Sequence, residues 1–259
     1  MKKFVREFVL VENAQLNNDN FRLVLQSDTD LPEMAPGQFV NVLIDKSPET
    51  LLRRPFSVFD VDYKRKTLSL LVKILGRGSR ILTTYKEGDR ISIIFPLGKG
   101  FSKPDPEDKI LLIGGGSGVA PMLFLAKMCG LNPEQVHILL GAKSNTDHID
   151  VSSYKQYGMV YFTTEDGSLG DKGYVTNHAV YKSKLSSFSR IYSCGPGPMM
   201  RVVAGDAAAK RIFCEVSLEN TMACGFGACL CCVEKTTSGN KCVCTDGPVF
   251  NINELTWQK

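Results

Sequence analysis

The run Ile110-Leu111-Leu112-Ile113-Gly114-Gly115-Gly116-Ser117-Gly118-Val119-Ala120-Pro121-Met122 decides how this chain folds. Four consecutive apolar residues without alternation suit a strand covered on both faces. The glycines let the backbone turn tightly, and residues 120–129 read as the helix beyond the turn. Strand, glycine turn and helix in that order aim amide N–H groups at the carboxyl end of a first parallel strand, where a dinucleotide pyrophosphate lies. Gly114, Gly115, Gly116, Ser117 and Gly118 are therefore candidate NAD-binding residues, although the spacing is not a strict G-x-G-x-x-G and such turns also occur without a ligand. The same glycines and Pro121 exclude reading this apolar region as a membrane span.

Working toward the C-terminus, further apolar runs at 136–140, 159–162, 191–194 and 212–216 alternate with helical stretches near 174–181 and 199–210. That rhythm predicts an open, parallel α/β sheet of Rossmann-like type. Cys194-Gly195-Pro196-Gly197-Pro198 ends one of these strands, and its small residues leave a shelf for a nicotinamide ring. The plainer reading is a rigid turn, with Cys194 as a small buried hydrophobe. Lys143 and Ser144 after the second strand, and Glu165-Asp166-Gly167-Ser168, do not discriminate NAD from NADP.

Working toward the N-terminus, short β-rich runs at 4–11, 21–25, 38–44, 56–61, 68–74 and 90–95 are separated by turn clusters such as Asn17-Asn18-Asp19-Asn20 and Glu87-Gly88-Asp89. Six short strands with close turns predict an antiparallel barrel, with one helix near 79–85. Arg54-Pro55-Phe56-Ser57 supplies an arginine that can grip a diphosphate and an aromatic that can cover a flavin. Gly76-Arg77-Gly78-Ser79 lets the backbone approach a phosphate. Each alone has an ordinary structural reading; together on one barrel they favour FAD. The Pro-rich, charged stretch Lys103-Pro104-Asp105-Pro106-Glu107-Asp108 marks a boundary. The expected organisation is a FAD-binding barrel over 1–102, an NAD-binding α/β unit over 103–216 and a small iron–sulfur unit over 217–259.

In the last unit Cys224, Cys229 and Cys232 have C-x4-C-x2-C spacing, the plant-type pattern for a [2Fe–2S] cluster with a fourth thiolate from further along. Gly225, Gly227 and Ala228 leave room for the loop to fold around it. A structural zinc site usually presents paired C-x2-C hooks, and only one is present. Cys231 would break the pattern, whereas Cys242 and Cys244 both fit the fourth position on spacing.

The remaining composition bounds the alternatives. A net charge of +4 without a Lys/Arg cluster gives no sign of nucleic-acid binding. Six of the nine cysteines crowd into 224–244 and the N-terminus is no signal peptide, which fits reduced thiols in a cytoplasm better than a secreted disulfide framework. His137, His148 and His178 have no partner at metal or nucleophile spacing, and no catalytic side chain is expected; the chemistry falls to cofactors.

Arg54-Pro55-Phe56-Ser57, the turn at 114–118 and Cys194-Gly195-Pro196 together resemble the ferredoxin-reductase flavoprotein superfamily. The cysteine run followed by Val243-Cys244-Thr245-Asp246-Gly247-Pro248-Val249-Phe250 resembles, more narrowly, the electron transfer subunits of NAD-dependent (B-type) dihydroorotate dehydrogenases. That resemblance covers essentially the whole chain. It implies FAD contacts at Arg54, Pro55, Phe56, Ser57, Leu71, Val72, Lys73, Gly78 and Ser79, and it selects Cys244 as fourth cluster ligand. Val72-Lys73 stands where the family often has an aromatic–Arg pair, and lysine keeps the charge without the planar fork. The resemblance also implies an FMN-containing catalytic partner that oxidises dihydroorotate, a heterotetramer with two copies of each subunit, and a place in pyrimidine (UMP) synthesis. The competing expectations are an NAD(P)H–ferredoxin oxidoreductase subunit, in which a carboxylate can replace a cluster cysteine, and a non-enzymatic zinc-stabilised binding module.

Overall fold

The computed structural model describes residues 2–149 and 151–258. Strands β1 (Phe4–Gln15), β2 (Asn20–Gln26), β3 (Phe39–Val42), β4 (Arg54–Asp62) and β5 (Thr67–Lys73), helix α1 (Arg77–Leu82) and strand β6 (Arg90–Leu97) form the first body. The strands close an antiparallel barrel in the order β1-β2-β5-β4-β3-β6. Period-two patterning drives the closure: Phe8 and Leu10, Leu23 and Leu25, and Leu68, Leu70 and Val72 all point inward and are almost fully buried. Each such side chain contributes about 1.5–3 kcal/mol by leaving water.

The second body is β7 (Ile110–Gly115), α2 (Ala120–Met128), β8 (Val136–Ala142), α3 (Val151–Tyr154), β9 (Met159–Thr164), β10 (Asp171–Lys172), α4 (Ala179–Lys184), β11 (Arg190–Cys194), α5 (Gly197–Ala209) and β12 (Phe213–Ser217). Its central strands are parallel, with Cys194 of β11 opposite Gly114 of β7 and Ser217 of β12 opposite Cys194. The helical stretch expected near 174–181 is split. A 3-10 turn at Val175–Asn177 precedes α4, because the His178 ring accepts the Val180 N–H at 3.0 Å and caps a new helix.

The C-terminal segment contains a hairpin, β13 (Val233–Thr236) with β14 (Gly239–Cys242), then α6 (Val243–Asp246) and β15 (Val249–Asn251). β15 returns to the large sheet antiparallel to β12, giving the order β10-β9-β8-β7-β11-β12-β15. Sequence periodicity does not reveal this strand, since three residues are too few to show it. Val243, Cys244, Phe250 and Ile252 join the core beneath β11 and β12, so the segment shares the core of the large sheet.

The two larger bodies share apolar packing. Phe124 of α2 enters the barrel core, and Phe59 and Leu71 of the barrel pack with α2. Lys127 donates to the Asp60 carboxylate at 2.7 Å and to the Val61 carbonyl at 2.9 Å. The stretch between the bodies is tied down: Asp105 and Asp108 both grip Arg190, and Gln135 donates to the Pro106 and Asp108 carbonyls. Among the described residues no helix is long and apolar enough to cross a membrane.

His137, on buried β8, pairs its Nδ1 with the Tyr161 hydroxyl at 3.0 Å. Burial, then the charges of Lys109 and Lys184, lower its pKa to about 4. The folded state therefore resists a proton that the unfolded chain takes up near pH 6.5. Stability is intact above that pH and falls as pH drops toward 4. Denaturant titrations across this window should show His137→Gln flattening the acid slope by up to about 1.4 kcal/mol per pH unit.

Candidate flavin, nicotinamide and iron–sulfur sites

The start of β4 and the end of β5 face α2 and the turn before it. Between them lies a cleft of ≈ 320 Å³. Pro55, Phe56, Ser57, Leu71 and Lys73 line its barrel side, Ser117 and Ala120 the opposite wall, and residues 217–222 its end. Strand alternation aims Leu71 and Lys73 at the cleft and turns Val72 into the barrel core, where it is fully buried. Val72 thus offers a cofactor only its backbone. Gly78 meets the Arg54 side chain: a Cβ there would lie 3.1 Å from Arg54 Nε. Ser79 is partly committed to folding, since its hydroxyl accepts the Leu75 and Gly76 N–H groups at 2.9 and 3.1 Å.

The two glycine turns interlock. A Cβ on Gly118 would lie 2.3 Å from the Cys194 carbonyl oxygen, and one on Gly115 would lie 2.8 Å from Met199 Sδ. Gly195 adopts a φ of +151° and sits against the Gly115 backbone. Gly116, at φ +56°, has no neighbour near its missing Cβ and faces open space. Ser117 reaches the larger cleft, while Gly195 and Pro196 line a second one of ≈ 200 Å³ with Met200, Arg201, Glu234 and Trp257. Cys194 is buried, and burial followed by the nearby Glu219 charge pushes its thiol well up. That suits packing and not a reactive thiolate. Ser144 and Asp147 cap one another, and Asn145 donates to Ser168, so 143–147 and 165–168 form one knitted edge.

Leu218, Glu219 and Asn220 are the wall common to both clefts, and sequence reasoning did not identify them. Glu219 is exposed at the cleft mouth. Desolvation raises its carboxyl, with Lys73 across the cleft opposing the shift. The available signal was positional: the segment leaves β12 at the sheet edge that carries both glycine turns.

Cys224 lies beside Cys229, and Cys232 beside Cys244. Burial raises Cys224, but the Phe226 N–H, the Cys229 thiol, and the Cys229 and Ala228 N–H groups outweigh it and lower the pKa to about 6. Cys244 is buried and donates toward the Cys232 sulfur, which also accepts the Cys244 N–H at 3.4 Å; its pKa is pushed up to about 12. The Ala228 N–H reaches Cys224 Sγ at 3.3 Å. Positive φ at Gly225, Gly227 and Leu230 folds the loop so that its amides meet sulfur. Cys242 also lies beside Cys232, with its thiol raised, while Cys231 is exposed. Among the described residues no three His, Cys, Asp or Glu side chains converge as one metal ion requires. Cysteine sulfurs that accept backbone N–H bonds fit the thiolate ligation of a two-iron cluster.

Family models match along the chain: an oxidoreductase FAD-binding domain over 7–101, an oxidoreductase NAD-binding domain over 112–205, and the iron–sulfur cluster binding domain of dihydroorotate dehydrogenase B over 219–256. Barrel, parallel sheet and cysteine segment therefore define an oxidoreductase subunit that binds FAD, NAD and an iron–sulfur centre. The electron transfer subunit of dihydroorotate dehydrogenase B (NAD(+)) from Shouchella clausii is 34% identical, aligned over 98% of this chain and 99% of its own length. That from Caldanaerobacter subterraneus subsp. tengcongensis is 38% identical over 95% and 96%. The chain belongs to this family of electron transfer subunits, which implies a catalytic partner subunit. A solved NADH-dependent reduced ferredoxin-NADP oxidoreductase structure superposes with a TM-score of 0.80 at 28% identity, covering 96% of this chain and 90% of that one.

Gly118→Ala should disturb the interlock, because its Cβ meets backbone that cannot swing away. We expect a loss of roughly 2–3 kcal/mol, read as a lower thermal midpoint of the purified chain.

Proposed function

We propose that this chain relays electrons between an FMN-containing subunit that oxidises dihydroorotate to orotate and NAD+, in a cytoplasmic assembly with two copies of each subunit that serves pyrimidine synthesis. The observation that carries the reading is the joint presence of a cleft between flavin-type barrel and glycine turn and a paired-cysteine loop on one chain. FAD supplies the coupling of two-electron hydride exchange to one-electron exchange with an iron–sulfur centre.

The residues divide that work over three units, 1–102, 103–216 and 217–259. Arg54 and Gly78, already in contact, grip the diphosphate of FAD; Pro55, Phe56, Ser57, Leu71 and Lys73 wall its ring system; Val72 and Ser79 contribute backbone and a capped turn. Gly114, Gly115, Gly116, Ser117 and Gly118 receive the NAD pyrophosphate, with Cys194, Gly195 and Pro196 as the shelf for its ring. Apolar packing of α2 against Phe59 and Leu71 closes the junction on that side. Cys224 with Cys229 and Cys232 with Cys244 hold a [2Fe–2S] cluster.

The structural likeness to a reduced ferredoxin-NADP oxidoreductase supports a second reading, in which the same relay serves a ferredoxin-linked partner. Co-expression with the FMN-containing catalytic subunit decides between them. Dihydroorotate-dependent NAD+ reduction should require both chains; a stable complex that lacks it favours the second reading. Within the chain, Cys244→Ser should remove most of the paramagnetic signal of the reduced centre, and Cys242→Ser should keep it. Equal loss in both would move the fourth ligand.

A further inference from the structure

Asn41 lies on β3 in the apolar run Phe39-Val40-Asn41-Val42 and is 1% exposed. Its Nδ2 donates to the Cys224 carbonyl at 2.8 Å, across 183 positions of sequence. Its Oδ1 is buried without a hydrogen-bond partner. A leucine would fill the same space without an orphaned oxygen. The amide is therefore an expensive choice for packing alone, and what it provides is the bond to the cysteine loop.

The surroundings make that bond positional. Asn41 pairs across the sheet with Pro55, on the strand that walls the flavin cleft. Arg53 braces the same place, donating to the Ser92 carbonyl at 2.8 Å and toward the Asn41 carbonyl at 3.4 Å. On the loop side Gly225 has φ +77°, and a Cβ there would lie 2.6 Å from Asn41 Nδ2. Glycine at 225 thus lets the loop close on the amide. Around it Lys3 reaches the Phe226 carbonyl at 3.4 Å, Thr245 packs against Gly227, and the barrel's Phe39 and Leu97 pack with Cys232, but Asn41 gives the direct hydrogen bond from barrel strand to the Cys224 backbone.

We propose that Asn41 is a positioning residue for the iron–sulfur centre. It clamps the Cys224 loop to the flavin-bearing strand, and so sets the placement and environment of the cluster relative to the flavin. This rests on the reading of Cys224 as a cluster ligand. The test uses the purified, cofactor-loaded chain and its Asn41→Leu and Asn41→Asp variants. It measures the iron-to-FAD ratio, the rate of cluster loss to a chelator, and the paramagnetic spectrum and reduction potential of the cluster. Asn41→Leu keeps FAD and loses its cluster about ten-fold faster, the usual scale for removing an outer-shell partner of a metal ligand. Asn41→Asp, of the same shape, places a carboxylate oxygen against the Cys224 carbonyl and shifts the potential to more negative values with FAD retained. If the leucine variant fails to hold FAD, the aspartate variant alone decides. Loss rates and potentials equal to the parent's in the FAD-loaded variants overturn the proposal while leaving the ligand reading intact. A parent chain with no two-iron signal overturns both.

Discussion

The close approach of two backbones, one at Gly118 and the other at the Cys194 carbonyl, is the constraint on which the rest of the molecule depends. Parallel pairing of β7 with β11 brings the two strand ends level. Only a residue without a side chain lets the following turn lie on its neighbour. That contact fixes where α2 starts, and α2 in turn carries Phe124 into the barrel and Lys127 to Asp60. The width of the cleft between barrel and sheet follows from it, and with it the space in which a flavin and a nicotinamide can meet.

Charge in that space is sparse. Lys73 on the barrel side and Glu219 at the end both line the larger cleft, and the other groups around them are apolar or neutral. In such a setting each charge is felt more strongly than in water. Thiol chemistry is divided by the same logic of burial. Cys129, Cys194 and Cys214 are pushed toward their protonated forms inside the fold. Cys224, surrounded by N–H groups, is held in the opposite direction.

Much of this was legible in the sequence, because long-range order here has local causes. Short β-rich runs with close turns marked the six barrel strands, continuous apolar runs marked the parallel sheet, and glycines marked the turns where backbones meet. The same alternation carries a detail that a motif obscures: Leu71 and Lys73 share a face that Val72 does not. Other features were not legible. Residues 218–220 have no motif, and become a cleft wall only because β12 ends beside β11. Asn41 is a polar residue in an apolar strand, which signals a buried partner without saying that the partner is 183 positions away. Spacing left Cys242 and Cys244 equivalent, and in the fold both lie beside Cys232.

The pairing of Ser217 with Val249 brings together the two ends of the segment that carries the cysteines. Topologically, residues 218–248 are an excursion that departs from one sheet strand and returns to its neighbour. Segments whose ends meet can be inserted or exchanged at small cost in chain entropy. The cysteine segment therefore leaves and rejoins the sheet at one edge, without threading through it. Its surface is nonetheless tied to the barrel: Phe39 and Leu97 are packed with Cys232, Val243 and Cys244, so a change on either side of that seam is felt on the other.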